Sequence, residues 1–292
     1  MHDLRALAAA WLAEGRRAVV VEVIEARGSA PRKAGTRMLV DADCAAGTIG
    51  GGHLELKAID EARAMLKAND PGPRSRHYPL GPALGQCCGG AVTLGLARLD
   101  PAALAVWPQA PPRMHLQLYG AGHVGRAIAR ALAPLNVRLD WIDEREEEFP
   151  ARFFETGDAA WPAHIRKVCV DAVEAEVDAA PPGAYCLVLT HRHDLDLRIT
   201  ERILRRADFG FLGLIGSKTK RQRFIHRFEA LGIAPAVIAR MTCPIGLPGI
   251  EGKEPEVIAA AVVAQLLLAS SVGRDTAVPH LSAAETRPPL QC

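Results

Sequence analysis

The sequence predicts an α/β chain in two parts: an N-terminal α+β domain, then a doubly wound parallel-sheet domain. Three observations predict it. Gly120, Gly122 and Gly125 fit G-x-G-x-x-G between a strand-like run and a helical pattern, and a second strand-like run ends in Asp143. That is the layout of a dinucleotide-binding βαβ unit, so the second domain is read as Rossmann-like. Residues 185–190 and 210–215 are short unbroken apolar runs, each followed by a helical pattern, as buried parallel strands require. Residues 17–25, 36–40, 74–78 and 91–99 read as strands around one long helix and make a separate α+β half.

In order, residues 3–14 form a helix with Leu4, Leu7, Ala8 and Trp11 on one face. The valine-rich strand 17–25 leads to a loop at 26–35 that holds Arg27, Arg32 and Lys33, either a solvated turn or an anion contact. After the strand 36–40 and a turn at 41–47, Gly50, Gly51 and Gly52 open a helix that runs to about Lys67, with His53 and Glu55 at the turn. Three glycines there can form a bare backbone nest for an anion, or a tight turn that needs positive φ. Residues 80–90, Leu-Gly-Pro-Ala-Leu-Gly-Gln-Cys-Cys-Gly-Gly, are the most unusual segment. Buried structural cysteines usually sit inside apolar elements, whereas Cys87 and Cys88 sit in a glycine-bounded loop. One thiol is therefore expected as a soft metal ligand or sulfur nucleophile, with the other supporting it; the plain alternative is two small turn residues. Pro101, Pro108, Pro111 and Pro112 mark an interdomain connection. The expected boundaries are 1–105, a Pro-rich linker at 106–113, a second domain at 114–272 and a tail at 273–292.

In the second domain, Gly120 permits a tight turn, Gly122 lets a diphosphate approach, and Gly125 lets helix and strand pack closely. The first strand carries His115 and Gln117, unusual for a central parallel strand. The strand 185–190 ends in His191-Arg-His-Asp, where open α/β sheets bind ligands. Ser217 caps the next helix, whose first turns carry Lys218, Lys220 and Arg221; cations near a helix N-terminus imply an anion that balances them. Cys243 opens a rigid Gly/Pro loop, and a helix over about 255–269 follows.

The net charge is +2, which gives no general case for nucleic acid or membrane surfaces. The start lacks a signal pattern and no apolar run reaches transmembrane length, so a cytoplasmic protein is expected. Seven cysteines without a C-x-x-C pair point to reduced thiols rather than disulfides or structural zinc. A homodimer is the default expectation for such a chain.

Taken together, Gly28-Ser-Ala-Pro-Arg, Gly50-Gly-Gly-His-Leu-Glu and Leu84-Gly-Gln-Cys-Cys-Gly-Gly resemble the first half of the xanthine dehydrogenase accessory protein family, XdhC/CoxI. Gly120-Ala-Gly-His-Val-Gly-Arg-Ala, Thr190-His-Arg-His-Asp, Leu214-Ile-Gly-Ser-Lys and Pro244-Ile-Gly-Leu resemble its second half, in family order. The resemblance implies a non-catalytic chaperone that binds the molybdenum cofactor (molybdopterin). It implies support of cofactor sulfuration by a NifS-like cysteine desulfurase and insertion into the molybdenum subunit of apo xanthine dehydrogenase. The cofactor contacts expected on this basis are Cys87 and Cys88 (the candidate molybdenum contacts), Gly50, Gly51, Gly52, His53, Gly120, Gly122, Gly125, His191, Ser217 and Lys218. The CoxI branch often has Cys where this chain has His53, so a thiol role there does not transfer. Read without the resemblance, the fingerprint allows an NAD-dependent oxidoreductase, with Asp143 on the ribose and His191 or His193 as acid–base group. An interaction module that has lost nucleotide binding is a third reading.

Overall fold

In a computed structural model, the structure describes residues 4–70, 72–80, 90–108, 111–154 and 161–275, without the side chains of 272–275. The chain divides into two compact units, Met1–Ala110 and Pro111–Cys292.

The first unit is an α+β layer structure. Its strands are β1 (Val19–Arg27), β2 (Arg37–Val40), β3 (Ala45–Gly47), β4 (Arg74–Pro79) and β5 (Ala91–Arg98). They form an antiparallel sheet in the order β3-β2-β1-β5-β4. Alternation along the strands sends side chains to opposite faces. Val19, Val21 and Val23 of β1 pack with Met38, Leu94 and Leu96 against Leu54, Ala58, Ala62 and Met65 of helix α2 (Gly52–Lys67). Val20 and Leu39 face the other way, onto Ala8 and Trp11 of helix α1 (Leu4–Ala13). The proline-rich segment after β5 is not all linker. It begins with helix α3 (Pro101–Ala105), where Asp100 accepts a hydrogen bond from the Ala103 amide at 2.7 Å and Pro101 stands where a missing N–H costs nothing. Trp107, just past α3, is buried in the same cluster as Trp11.

The second unit is Rossmann-like. Its strands β6 (His115–Tyr119), β7 (Arg138–Asp143), β8 (Ile165–Cys169), β9 (Tyr185–Val188), β10 (Phe211–Leu214) and β11 (Met241–Thr242) pair in the order β11-β10-β9-β6-β7-β8. Every pairing is parallel, and the order reverses at β6 and β9, the switch point of a doubly wound sheet. On one face Leu116, Leu118, Leu139 and Leu187 pack on helices α4 (His123–Leu132) and α8 (Pro255–Asp275). On the other, Tyr119, Ile142, Val188 and Leu212 pack on α5 (His193–Arg206) and α6 (Lys218–Ala230). A short helix, α7 (Pro235–Ile238), precedes β11. The connection from β7 to β8 carries a 3-10 turn, Glu146–Glu148, and an aromatic cluster in which Phe149 and Phe153 meet Trp141 edge-on at 5.3 and 6.4 Å.

The polar residues of β6 are explained by their partners. Gln117 is fully buried; its amide donates to the Glu176 carbonyl at 2.6 Å and its carbonyl accepts from the Tyr119 hydroxyl at 2.7 Å. His115 lies 2.6 Å from Asp140, which also accepts from Arg166 at 2.8 Å. A central strand can hold polar side chains when each donor and acceptor is satisfied.

Candidate functional site

The glycine turn lies between the end of β6 and α4, at the carboxyl rim of the sheet. Two of its glycines are explained by the fold itself. Gly120 has φ of +122°, and a Cβ there would lie 2.4 Å from the Leu189 carbonyl oxygen. A Cβ on Gly125 would lie 2.0 Å from the Gly120 carbonyl oxygen, so α4 can seat against the turn only as glycine. Gly122 differs: nothing lies within 4 Å of where its Cβ would stand. No side chain caps α4 either, although Gly122 is its N-cap residue. Amides of a first helical turn lack intrahelical acceptors, and here no N-cap side chain supplies one.

The acid at the end of β7 has a different role from a ribose acceptor. Asp143 is 3% exposed. One of its oxygens accepts from the Ala121 amide at 2.6 Å and the Arg145 guanidinium at 2.9 Å; the other accepts from the Arg145 amide and Nε at 2.9 and 3.0 Å. Burial pushes its carboxyl pKa up, but these hydrogen bonds, Arg145 foremost, bring it net below the usual carboxylate range. Asp143 therefore fixes the shape of the glycine turn and is committed to Arg145. Arg145 in turn reaches Glu148 at 3.2 Å, and Arg126 of α4 pairs with the same Glu148 at 2.9 Å.

His191 lies beside this turn. It follows β9, and its Nε2 stands 3.6 Å from the carboxylate of Glu144, which follows β7. Arg192 meets the same carboxylate at 3.5 Å. Because β6 lies between β7 and β9, these contacts bridge across the strand that carries the glycine turn. His193 and Asp194 belong to the first turn of α5; Asp194 pairs with Arg192 at 2.7 Å and Arg198 at 3.0 Å rather than capping the helix. His123, exposed at the first position of α4, also stands at the rim. Sequence reasoning passed over it, although its place directly after Gly122 was the available signal.

At the β10–α6 turn, Ser217 caps the helix by accepting from the Lys220 amide at 3.2 Å, and Lys218 is exposed. The anion inferred from the cations of α6 turns out, for Lys220, to be internal. Its ammonium donates to Asp196 at 2.5 Å and to the Ile215 carbonyl at 2.8 Å. Asp196 is fully buried and also accepts from the Thr190 amide and hydroxyl, at 2.9 and 2.7 Å. This network, which sequence reasoning missed, ties the ends of β9 and β10 to α5 and α6.

In the first unit, the turn at Gly50, Gly51 and Gly52 is not a bare nest. The Glu55 carboxylate accepts from the amides of Ile49 and Gly51 at 3.1 and 3.0 Å and from the Thr48 hydroxyl at 2.5 Å. A carboxylate at a helix N-terminus satisfies the donors an outside anion would use. Gly50 is needed for its φ of +132° and for Pro31, whose Cγ would lie 2.6 Å from a Cβ. His53 is exposed on the first turn of α2. Cys87 and Cys88 lie outside the described residues. Among the described thiols, Cys44 and Cys169 are exposed, while burial pushes Cys186 up to about 12 and raises Cys243, holding both protonated. Among the described residues no group of three His, Cys, Asp or Glu side chains is placed to hold a metal, and no helix is long and apolar enough to cross a membrane.

The strand order and the glycine turn define a protein with an antiparallel α+β unit followed in the chain by a dinucleotide-fold domain. The family model described as the XdhC Rossmann domain matches residues 116–266, and that of the XdhC and CoxI family matches residues 11–79. The chain belongs to the XdhC/CoxI family. It is 31% identical over 256 residues to the uncharacterized protein YqeB of Escherichia coli K12, a match that covers 85% of this chain and 42% of YqeB. The chain thus spans less than half the length of that relative. A Bacillus halodurans protein whose crystal structure is described as a xanthine dehydrogenase shares the fold, with a TM-score of 0.74 over 96% of this chain and 98% of that one at 20% identity.

Proposed function

We propose that the chain is an accessory protein, not itself catalytic, that carries the molybdenum cofactor for xanthine dehydrogenase. Family membership over both units supports this, and one observation carries the binding role: the uncapped α4 turn with open space at Gly122. When bound, the cofactor supplies a phosphate and a dithiolene-held molybdenum that accepts sulfur. The residues present suit the phosphate end, because amides of a helix N-terminus recognise such an anion and a glycine admits it closely. Gly120 and Gly125 shape that turn. His191, Ser217 and Lys218 are the rim residues proposed to touch the ligand, with His53 proposed from the first unit. Cys87 and Cys88 are proposed to hold the metal end, as a soft metal favours thiolates. Sulfuration with a NifS-like cysteine desulfurase, delivery to the apo molybdenum subunit, a homodimeric state and a cytoplasmic setting belong to the same proposal.

The NAD-dependent alternative needs a free acid for the ribose hydroxyls, and Asp143 has both oxygens engaged. That observation favours the carrier reading. The test is to purify the protein from molybdate-fed cells and measure molybdenum and pterin per chain. Wild type should retain both. Gly122→Asp should lose pterin, and Cys87→Ala or Cys88→Ala should lose molybdenum, each with unchanged urea unfolding. A wild-type protein empty of both after attempted loading, or saturable binding of NADH instead, would sink the reading.

A further inference from the structure

Helix α6 carries five cations, Lys218, Lys220, Arg221, Arg223 and Arg227, against one carboxylate, Glu229. In a chain with a net charge of only +2 this is a local concentration. A cleft of about 360 Å³ runs along it, lined by His193 and Leu197 of α5 and by Ser217, Thr219, Lys220, Arg223, Phe224 and Arg227. No carboxylate lines the cleft. Lys220 is neutralised by Asp196, but an ammonium has three donors and two are used there. Arg223 and Arg227 differ from the arginines at the start of and along the neighbouring helix α5. Arg192, Arg198, Arg202, Arg205 and Arg206 each pair with a carboxylate, whereas Arg223 and Arg227 have no ion-pair partner among the described residues. They are four apart, on one side of α6, and like charges so placed repel each other unless an anion sits between them.

We propose that this cleft is a second anion site, separate from the glycine turn, for a small phosphate ester with a flat or apolar portion. The two guanidiniums supply forked donors matched to phosphate oxygens. The Ser217 hydroxyl accepts from the Lys220 amide, which leaves its proton free to donate, and Thr219 adds a second hydroxyl. Leu197 and Phe224 give the apolar wall against which a ring lies. The volume is that of a small-molecule site rather than of a peptide groove. The inference does not rest on the cofactor reading: of its residues only Ser217 belongs to that proposal.

The test is calorimetric titration of the full chain with pyrophosphate and with AMP at low ionic strength. Wild type should bind both saturably, and AMP should gain from its ring. Arg223→Gln with Arg227→Gln should weaken both at least tenfold. Both side chains are exposed, so the fold should survive, and the urea midpoint checks this. Arg221→Gln, the same charge change as Arg223→Gln alone but outside the lining, should leave affinity within twofold of wild type, as should Gly122→Asp. The proposal is overturned if wild type shows no saturable binding, if Arg221→Gln weakens binding as much as Arg223→Gln alone, or if Gly122→Asp abolishes it. The last result would move the anion to the glycine turn and leave the carrier reading standing. A normal phosphate response with pterin-free protein would sink the carrier reading alone.

Discussion

A methyl group on Gly125 would have to stand 2.0 Å from the Gly120 carbonyl oxygen, and that atom belongs to backbone that cannot swing away. Gly125→Ala is therefore expected to cost about 2–3 kcal/mol by urea unfolding, the range for overpacking a close contact. Gly122→Ala meets nothing within 4 Å and should unfold within about 0.5 kcal/mol of wild type, yet reduce cofactor retention. If Gly122→Ala were as costly as Gly125→Ala, the space at Gly122 would not be free. Asp143 gives a prediction with a sign. Burial raises its pKa, but Arg145 and the Ala121 and Arg145 amides hold it net below the ordinary value. Its stabilisation is thus fully present above the unfolded carboxyl pKa of about 3.9 and is lost as pH falls through the lower folded value. Asp143→Asn should lose about 1–3 kcal/mol at pH 7, as expected for a charge-assisted hydrogen bond removed, and should show a shallower fall in stability below pH 4. A variant with the wild-type acid slope would show that another carboxylate sets it.

Between elements, the Lys220–Asp196–Thr190 network joins two helices to the ends of two strands. The Lys220 side chain is 10% exposed and that of Asp196 1%. Lys220→Met strands a buried carboxylate and should cost about 3–5 kcal/mol; adding Asp196→Leu should recover part of that, because the uncompensated charge is gone. Additive losses would mean that Lys220 and Asp196 are not energetically coupled. This network also shows where sequence reading stopped. Apart from β3, which falls in a stretch that reads as a turn, and β11, the strands of both sheets were legible because apolar alternation and unbroken runs report directly which faces are buried. The glycine fingerprint was legible because turn and close contact are local. Asp196 was not: it closes a polar run, and its partner lies 24 positions along the chain. Helix α3 hid among prolines because Pro101 stands where a helix start and a linker look alike. The two-residue strand β11 carries too little pattern to read. At Gly50–Gly52 the turn was legible, with Glu55 beside it, but that the Glu55 carboxylate itself takes the Ile49 and Gly51 amides depends on folded geometry that no spacing reports.

At the scale of the whole molecule, each unit has its own cores. Trp11 and Trp107 report on the first unit, Trp141 and Trp161 on the second. Trp11 and Trp107 share a cluster with Ala8, Val20 and Leu39; Trp141 sits under α4 and α8 with Phe149 and Phe153. A unit that buries its own apolar surface can unfold as its own cooperative step. Lys220→Met provides the perturbation, since the residue lies in the second unit. In a background with Trp141→Phe and Trp161→Phe, the remaining fluorescence follows the first unit, and Lys220→Met should leave its urea midpoint unchanged. In a background with Trp11→Phe and Trp107→Phe, the same substitution should lower the midpoint, by the amount a loss of about 3–5 kcal/mol implies. Each comparison is made within one background, so the cost of the tryptophan changes themselves cancels. Equal shifts in both backgrounds would mean that the two units unfold as one body, and the stability of the parallel sheet would then be set in part by the antiparallel unit.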